Sequence, residues 1–446
     1  MNTTTPEWST GAAPRTTADG MWARALRAIP GGVNSATRFI GPPYAWSHAA
    51  GAYIYDADGR RYIDYHAAFG ATLLGHADER VTTAVTEAIR EHDLIGLGVT
   101  ELEIQCAELL NETIPSAEQT ILTMSGSEST FQAVRLARGA TGRDLIIKFQ
   151  GCFHGWHDSV ARNVISTVDS AYGMDPISSG ILPPALEATL IAEFNDLSSV
   201  EHLFADHPDR IAAIILEPIP HNVGCILPDQ EFLEGLRQMC TKHGSVLIFD
   251  EVITGFRHAP GGYQQLCGVT PDLTTFGKAM GNGHPVAGMS GSQSLMSQFS
   301  SAGGPVLLAG TFNGGAVSTA AAIATVTAVN DPGFHSRLFA KGDRMRSGLA
   351  GIVEKLGITA HVTGFGSVFI LYFCDGPVRG YRDLLDHNDL AYAEFHRRMT
   401  GRGFAMLPMS LKRNHISDAH TDEHIDLTIE AAEIVIGELV MEGIAT

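Results

Sequence analysis

From about residue 77 onward the chain alternates short apolar runs with helical stretches, and this rhythm limits the fold more than any other feature. The strand candidates are TILTM (120–124), DLIIKF (144–149), AAIILEP (212–218), SVLIFDE (245–251), DLTTFG (272–277) and PVAGMSG (285–291). Between them lie stretches such as ESTFQAVRLARGA and DQEFLEGLRQMCTKHG. Strands that are apolar throughout are covered on both faces, so the pattern predicts an α/β protein with a mostly parallel sheet. After GGAVSTAAAIATVTAVNDPG come a helix, a few strands in HVTGFGSVFILYF, and a last helix opening at Thr421 with Asp422 and Glu423 in its first turn. We read residues 77–330 as a large domain and 331–446 as a smaller α+β domain. Residues 21–76 contain AYIYDADGRRYIDY, a hairpin turning at Asp58-Gly59, and are expected to join the small domain. The first twenty residues, rich in Thr, Ala, Gly and Pro, read as a disordered arm.

Composition excludes several functions. Thirty basic against forty-nine acidic residues give a net charge of −19, which argues against nucleic acid as a partner. The six cysteines are widely spaced, with no CxxC pair, as expected of reduced thiols in a cytoplasmic protein. No apolar run reaches the roughly 18 residues needed to span a bilayer. The acidic spacing in DADG lacks the later ligands of a calcium loop and reads as a turn.

In open parallel sheets, ligands bind beyond the carboxyl ends of the strands, and several polar motifs fall there. Ser125-Gly126-Ser127-Glu128 follows TILTM and opens a helix, which could cradle a phosphate or could simply be an N-cap. No GxGxxG follows a strand, and Gly277-Lys278 lacks the remainder of a Walker loop. Asp250 and Glu251 end SVLIFDE facing opposite ways, so one can enter a site; a salt bridge to an arginine such as Arg257 is the plainer use. FQGCFHGWHD places Phe153, His154, Trp156 and His157 in one loop, a candidate ring-stacking wall. Two histidines and Asp158 lack a second cluster to complete a metal site. Lys278 ends TTFGK: taken alone it is a strand-end lysine reaching water, or a pocket lysine whose neutral amine attacks a carbonyl.

The order of these motifs carries more than any one of them. Strand–SGSE–helix, GCFHGWHD, LEPIPHNVG, LIFDEVITGFR, a lysine 28 residues after Asp250 in TTFGKAMGNGHPVAG, and GTFNGG together resemble the class III, fold type I aminotransferases that use pyridoxal 5′-phosphate (PLP). IPGGVNSATR and the SGSE to FHGWHD run are closest to the glutamate-1-semialdehyde 2,1-aminomutase branch, with β-amino-acid aminotransferases as cousins. The resemblance implies a large domain with a mostly parallel seven-stranded sheet, a smaller α+β domain and a homodimer with shared sites. It implies that Lys278 bonds the cofactor and carries protons, and that Asp250 pairs with the ring nitrogen. Asn222 and Glu217 are implied near the ring. Phe153 and Val252 are implied on its faces, with His154 beside it. Ser125, Gly126 and Ser127 are implied at the phosphate, joined by Thr311 from the other subunit. Arg38, with Ser35, is implied at a substrate carboxylate, and Lys412 or Arg413 is the alternative.

The chain also departs from the aminomutase pattern. MLPMSLKRNHISDAH has no acid until Asp418, where aminomutases carry a glutamate, and the loop SVARNVISTVDSAYGMDP is not a glycine-rich lid. His221 stands in place of the usual glycine before Asn222, and Phe153 in place of tyrosine. On these grounds the sequence favours intermolecular amino transfer between a β- or ω-amino acid and a keto acid or aldehyde. The alternatives are the aminomutase reaction, or PLP-dependent decarboxylation or carbon–carbon bond formation on the same fold.

Overall fold

A computed structural model describes residues 17–39 and 44–446. Its centre is a seven-stranded sheet in the order Gln119–Thr123, Ala287–Gly291, Leu273–Phe276, Val246–Glu251, Ile211–Leu216, Leu145–Phe149 and Thr189–Ala192. Ala287–Gly291 runs antiparallel to both its neighbours, and the pairs from Leu273–Phe276 onward are parallel. Ile211–Leu216 and Val246–Glu251 are buried at every position, as unbroken apolar runs require. The six expected strands are present within a residue or two of their predicted ends. Thr189–Ala192 was not anticipated, because the four residues TLIA at a sheet edge are too short a run to stand out from their surroundings.

Tyr53–Asp56 and Arg61–Asp64 form the expected antiparallel hairpin, extended by Trp46–Ala50. Asp56 is spent on the turn itself: its Oδ1 accepts from the Asp58 and Arg60 N–H groups at 3.1 and 2.8 Å, and Oδ2 from the Tyr62 hydroxyl at 3.0 Å. Phe404–Ala405 adds to this sheet in parallel beside Arg61–Asp64. His361–Thr363, Val368–Tyr372 and Asn414–His415 make a third sheet. The helix Asp422–Met441 opens as expected: the Thr421 hydroxyl accepts from His424 N and the His424 ring accepts from Thr421 N.

The expected disordered arm needs one correction. Residues 1–16 lie outside the described residues, but Ala18–Ala28 is a helix, because Thr17 caps it through Gly20 N and Asp19 sits in its first turn. Among the described residues no helix is long and apolar enough to cross a membrane.

Candidate active site

Four strand ends and a helix start meet in one cavity of about 200 Å³. The helix Gly126–Thr141 follows its strand after two residues, so its first turn faces the carboxyl edge of the sheet. Ser125 is the N-cap, its hydroxyl accepting from Glu128 N at 3.3 Å, while Glu128 Oε2 accepts from Ser125 N at 3.2 Å and Met124 N at 2.7 Å. Capping and anion binding therefore coexist: the Gly126 and Ser127 N–H groups belong to the first turn, which has no intrahelical acceptors. Small residues are required here. A Cβ on Gly126 would lie 2.9 Å from both Val252 methyls, and one on Gly155, whose φ is +109°, would lie 2.6 Å from Ser127 Oγ.

Asp250 and Glu251 divide as the strand period demands. Asp250 lines the cavity; its Oδ2 accepts from His154 Nδ1 at 2.7 Å and its Oδ1 from Thr275 Oγ1 at 3.0 Å and Val252 N at 3.2 Å. Glu251 turns away to accept from Thr254 Oγ1, Tyr263 N and Gln264 N. The plainer reading of an Arg257 salt bridge does not hold, since Arg257 donates to Ser367 Oγ and the Gly70 carbonyl instead. Thr275 was missed by sequence reasoning. It sits opposite Asp250 in the parallel register, a neighbour that strand pairing, but not motif spacing, would have disclosed.

Lys278 follows the strand Leu273–Phe276 with a positive φ of 43°. A non-glycine residue in that region costs roughly 1–2 kcal/mol, and such strain collects at functional sites. Half-buried at the cavity wall, it makes no hydrogen bond through Nζ among the described residues. Desolvation, reinforced by the Arg413 charge, draws its amine down to about 8.

Glu217 also lines the cavity, but its oxygens serve the backbone: Oε1 accepts from Phe153 N at 2.8 Å, and Oε2 from His221 N at 3.0 Å and Asn222 N at 3.2 Å. Burial pushes its carboxyl upward. It thereby fixes the Phe153 loop against the Asn222 loop. Phe153, His154 and Val252 complete the walls. Asn222 is buried, donating to the Gly151 carbonyl at 2.8 Å and accepting from Lys412 Nζ. Arg413 is buried too, donating to His415 Nε2 and the Phe69 carbonyl at 3.2 Å each.

Arg38, Ser35, Thr311 and His157 lie outside the Lys278 cavity. Arg38 lines a separate cavity of about 660 Å³ with His66, Phe69 and Met406, and the Ser35 hydroxyl pairs with that of Thr37 at 3.0 Å. Thr311 lies in an exposed turn beside Phe312, outside the Lys278 cavity. His157, part of the discounted metal reading, bonds Thr130 Oγ1 at 3.3 Å, and burial lowers its ring to about 3. Among the described residues no group of three or more His, Cys, Asp or Glu could hold a metal ion.

The class-III aminotransferase family model matches residues 37–411. The chain belongs to that family. Over 421 residues, 93% of this chain and 97% of the relative, it is 41% identical to a glutamate-1-semialdehyde 2,1-aminomutase from Bordetella avium. It superposes on an omega-transaminase from Sphaerobacter thermophilus with a TM-score of 0.90 at 32% identity, covering 95% of this chain and 98% of that one. A glutamate-1-semialdehyde aminomutase from Pseudomonas aeruginosa in complex with PMP superposes with a TM-score of 0.85 at 25% identity, over 95% and 94% of the two chains. The family is PLP-dependent, and the α/β, fold type I architecture is the one expected. The residues present fit PLP: a first helical turn that accommodates a phosphate, a carboxylate facing the cavity, a phenyl ring and an isopropyl group on its walls, and a lysine amine.

Proposed function

We propose that this class-III aminotransferase moves an amino group on a carboxylate-bearing substrate, in the intramolecular manner of a glutamate-1-semialdehyde 2,1-aminomutase. The observation that carries this reading is the 41% identity to a protein of that name over 93% of the chain, with Lys278 and Asp250 meeting in one cavity. It reverses the order of preference drawn from the sequence. The intermolecular reading stays as the second, supported by one feature of the sequence: the segment that carries Lys412 and Arg413 has no acid until Asp418, where the aminomutase pattern has a glutamate. The omega-transaminase likeness supports it too.

Bound PLP supplies an electron-withdrawing ring that stabilises negative charge at the substrate carbon. The chain supplies the rest. Lys278 would hold the cofactor through its amine, and when free its Nζ would accept the proton from the amine-bearing carbon of the substrate and give that proton back in the reverse half of the transfer. Only the neutral amine can do this, and a value near 8 leaves a useful fraction neutral at physiological pH. Asp250, held by His154 and Thr275, presents a fixed carboxylate to a protonated ring nitrogen. Phe153 and Val252 exclude water from the ring faces, and Glu217 fixes the loop that carries Asn222. The Gly126 and Ser127 N–H groups would hold the phosphate. Arg38, which lines the larger cavity, is assigned to the substrate carboxylate on the family resemblance. We also infer a homodimer: Leu307 and Phe312 are 62% and 61% exposed around Thr311, an apolar turn suited to cover by a second copy that receives Thr311 at its phosphate.

The test is to give the purified holoenzyme 4-amino-5-oxopentanoate with no other amine or carbonyl compound. Formation of its 2,1-isomer supports the aminomutase. Activity that appears only with a separate donor and acceptor supports the second reading. Failure of both excludes amino transfer on this substrate class.

A further inference from the structure

The site region carries more positive charge than its acids can balance. Lys278 lines the cavity, Lys412 bonds Asn222 on the loop that Glu217 fixes, and Arg413 and Arg257 lie close enough that each of the four influences or is influenced by another. Asp250 and Glu217 are the carboxylates felt by Lys278, and neither forms an ion pair with a lysine or arginine among the described residues. Asp250 is occupied by His154, Thr275 and Val252, and Glu217 by three backbone N–H groups. Arg257 is tied into the scaffold through Ser367 and Gly70. That leaves Lys412 and Arg413 as buried or half-buried cations that form no ion pair among the described residues, with Glu217, already held by three backbone N–H groups, the carboxylate that acts on both from a distance. Burying unpaired charge is costly, so such an arrangement is built for an anionic occupant.

The phosphate of the cofactor does not account for them. Its cradle is the helix start at Ser125, Gly126 and Ser127, and none of the contacts of Lys412 or Arg413 involves those residues. Lys412 and Arg413 come from the segment that leads into Asn414–His415, on the Asn222 side. Lys412 uses one of its three donors on Asn222 Oδ1, leaving two. Arg413 uses Nε and Nη2 on His415 and Phe69, leaving Nη1 with no partner among the described residues. An ammonium and a guanidinium at successive positions offer a carboxylate one point charge and one directed N–H.

We propose that Lys412, with Arg413 behind it, is the anchor for a substrate carboxylate, so that this site selects acids over amines at the Asn222 side and not through Arg38 alone. The inference rests on the reading that the substrate bears a carboxylate, and holds for intramolecular or intermolecular transfer alike. Mutual repulsion supports it: burial and the Arg413 charge lower the Lys412 amine to about 7, so an arriving carboxylate also restores its proton.

The probe is glutarate, a diacid with neither amine nor carbonyl to react, against glutaramide as its uncharged control. Isothermal titration and thermal shift on the PLP-loaded protein are expected to show glutarate binding and none by glutaramide. Lys412→Met is expected to weaken glutarate about tenfold or more, and Lys412→Arg to retain most of it. In kinetics, Lys412→Met is expected to raise KM for an acid at least tenfold more than for a carboxylate-free amine. If Lys412→Met does not fold, competition decides on the wild type: glutarate must raise the KM of the acid without changing kcat. Glutarate binding that survives Lys412→Met, or no glutarate binding by the wild type, overturns the proposal. If glutarate binding requires Lys412 but no amino group is transferred from or to any acid, the proposed function fails and the anchor stands.

Discussion

The sheet-borne half of the site and the half brought by the segments around Arg38, Phe69 and Lys412 are built on opposite principles. Asp250, Thr275, Glu217 and Lys278 stand at or just beyond the ends of adjacent strands, where backbone register fixes the distances between them. Both cavity carboxylates there already accept three hydrogen bonds each, leaving about one acceptor site apiece. In the other half, Lys412 and Arg413 bond carbonyl, amide and imidazole groups and, among the described residues, no carboxylate. The turn beside them runs through four left-handed residues, Ala67, Ala68, Phe69 and Gly70, held by Arg257 and Arg413 on its carbonyls. The first half is complete without substrate and suits invariant chemistry. The second is electrostatically unfinished and suits recognition.

If that division is right, damage to the sheet half must strike turnover. Lys278→Ala is expected to lower kcat about a thousandfold or more, since it removes both the covalent attachment and the proton carrier. Borohydride treatment of the wild type followed by peptide mapping should place the cofactor on Lys278. Label on another lysine would dissolve the distinction at its root.

Asp250→Asn should follow, lowering kcat about a hundredfold while leaving the fold and most cofactor affinity intact. The amide can still meet His154, whose buried Nε2 has no partner and so allows the other tautomer, but it cannot hold a protonated ring nitrogen. Circular dichroism and cofactor titration check the first half of this, kinetics the second. Full activity would mean that the carboxylate serves His154 alone.

The same division decided what could be read from the sequence. Lys278, Asp250 and the SGS turn were legible because apolar runs locate strand ends and ligands collect there, whereas Glu217 came only with the family resemblance. Thr275 escaped, because its role depends on register against a neighbouring strand. Lys412 could be named as an alternative but not placed, because its approach to Asn222 depends on how a segment 190 residues away in the chain packs over the sheet. Thr189–Ala192 was lost for lack of length, and the helix at Ala18 because its cap, Thr17, sits among threonines that look like linker.

Arg38 offers a milder test on the recognition side. Arg38→Ala is expected to raise KM for carboxylate substrates roughly tenfold, with a smaller change for simple amines, since a charge-assisted hydrogen bond is worth about 1.5–3 kcal/mol. Equal losses for acids and amines would place Arg38 in the wall of the larger cavity and leave recognition to Lys412 and Arg413.

The smallest expected effect joins the two halves, because Arg413 on the recognition side helps to hold down the amine of Lys278 on the chemical side. An unfolded lysine keeps its proton up to its ordinary value of 10.5, whereas folded Lys278 releases it at about 8. Between those values the unfolded chain binds the extra proton, so folded stability from this group rises with pH across the window. Below about 8 both states are protonated, and the folded state bears the whole cost of a desolvated cation. Lys278→Met should therefore stabilise the cofactor-free protein below pH 8 and flatten its stability profile above it, by about one or two degrees in Tm. Arg413→Gln should raise the Lys278 value toward 10.5 and shift the alkaline rise of kcat in the same direction. Thermal melts of cofactor-free protein from pH 7 to 10.5 measure the first, and the pH profile of kcat the second. An unmoved profile in Arg413→Gln would mean that burial alone sets the amine, and the two halves would then be electrostatically separate.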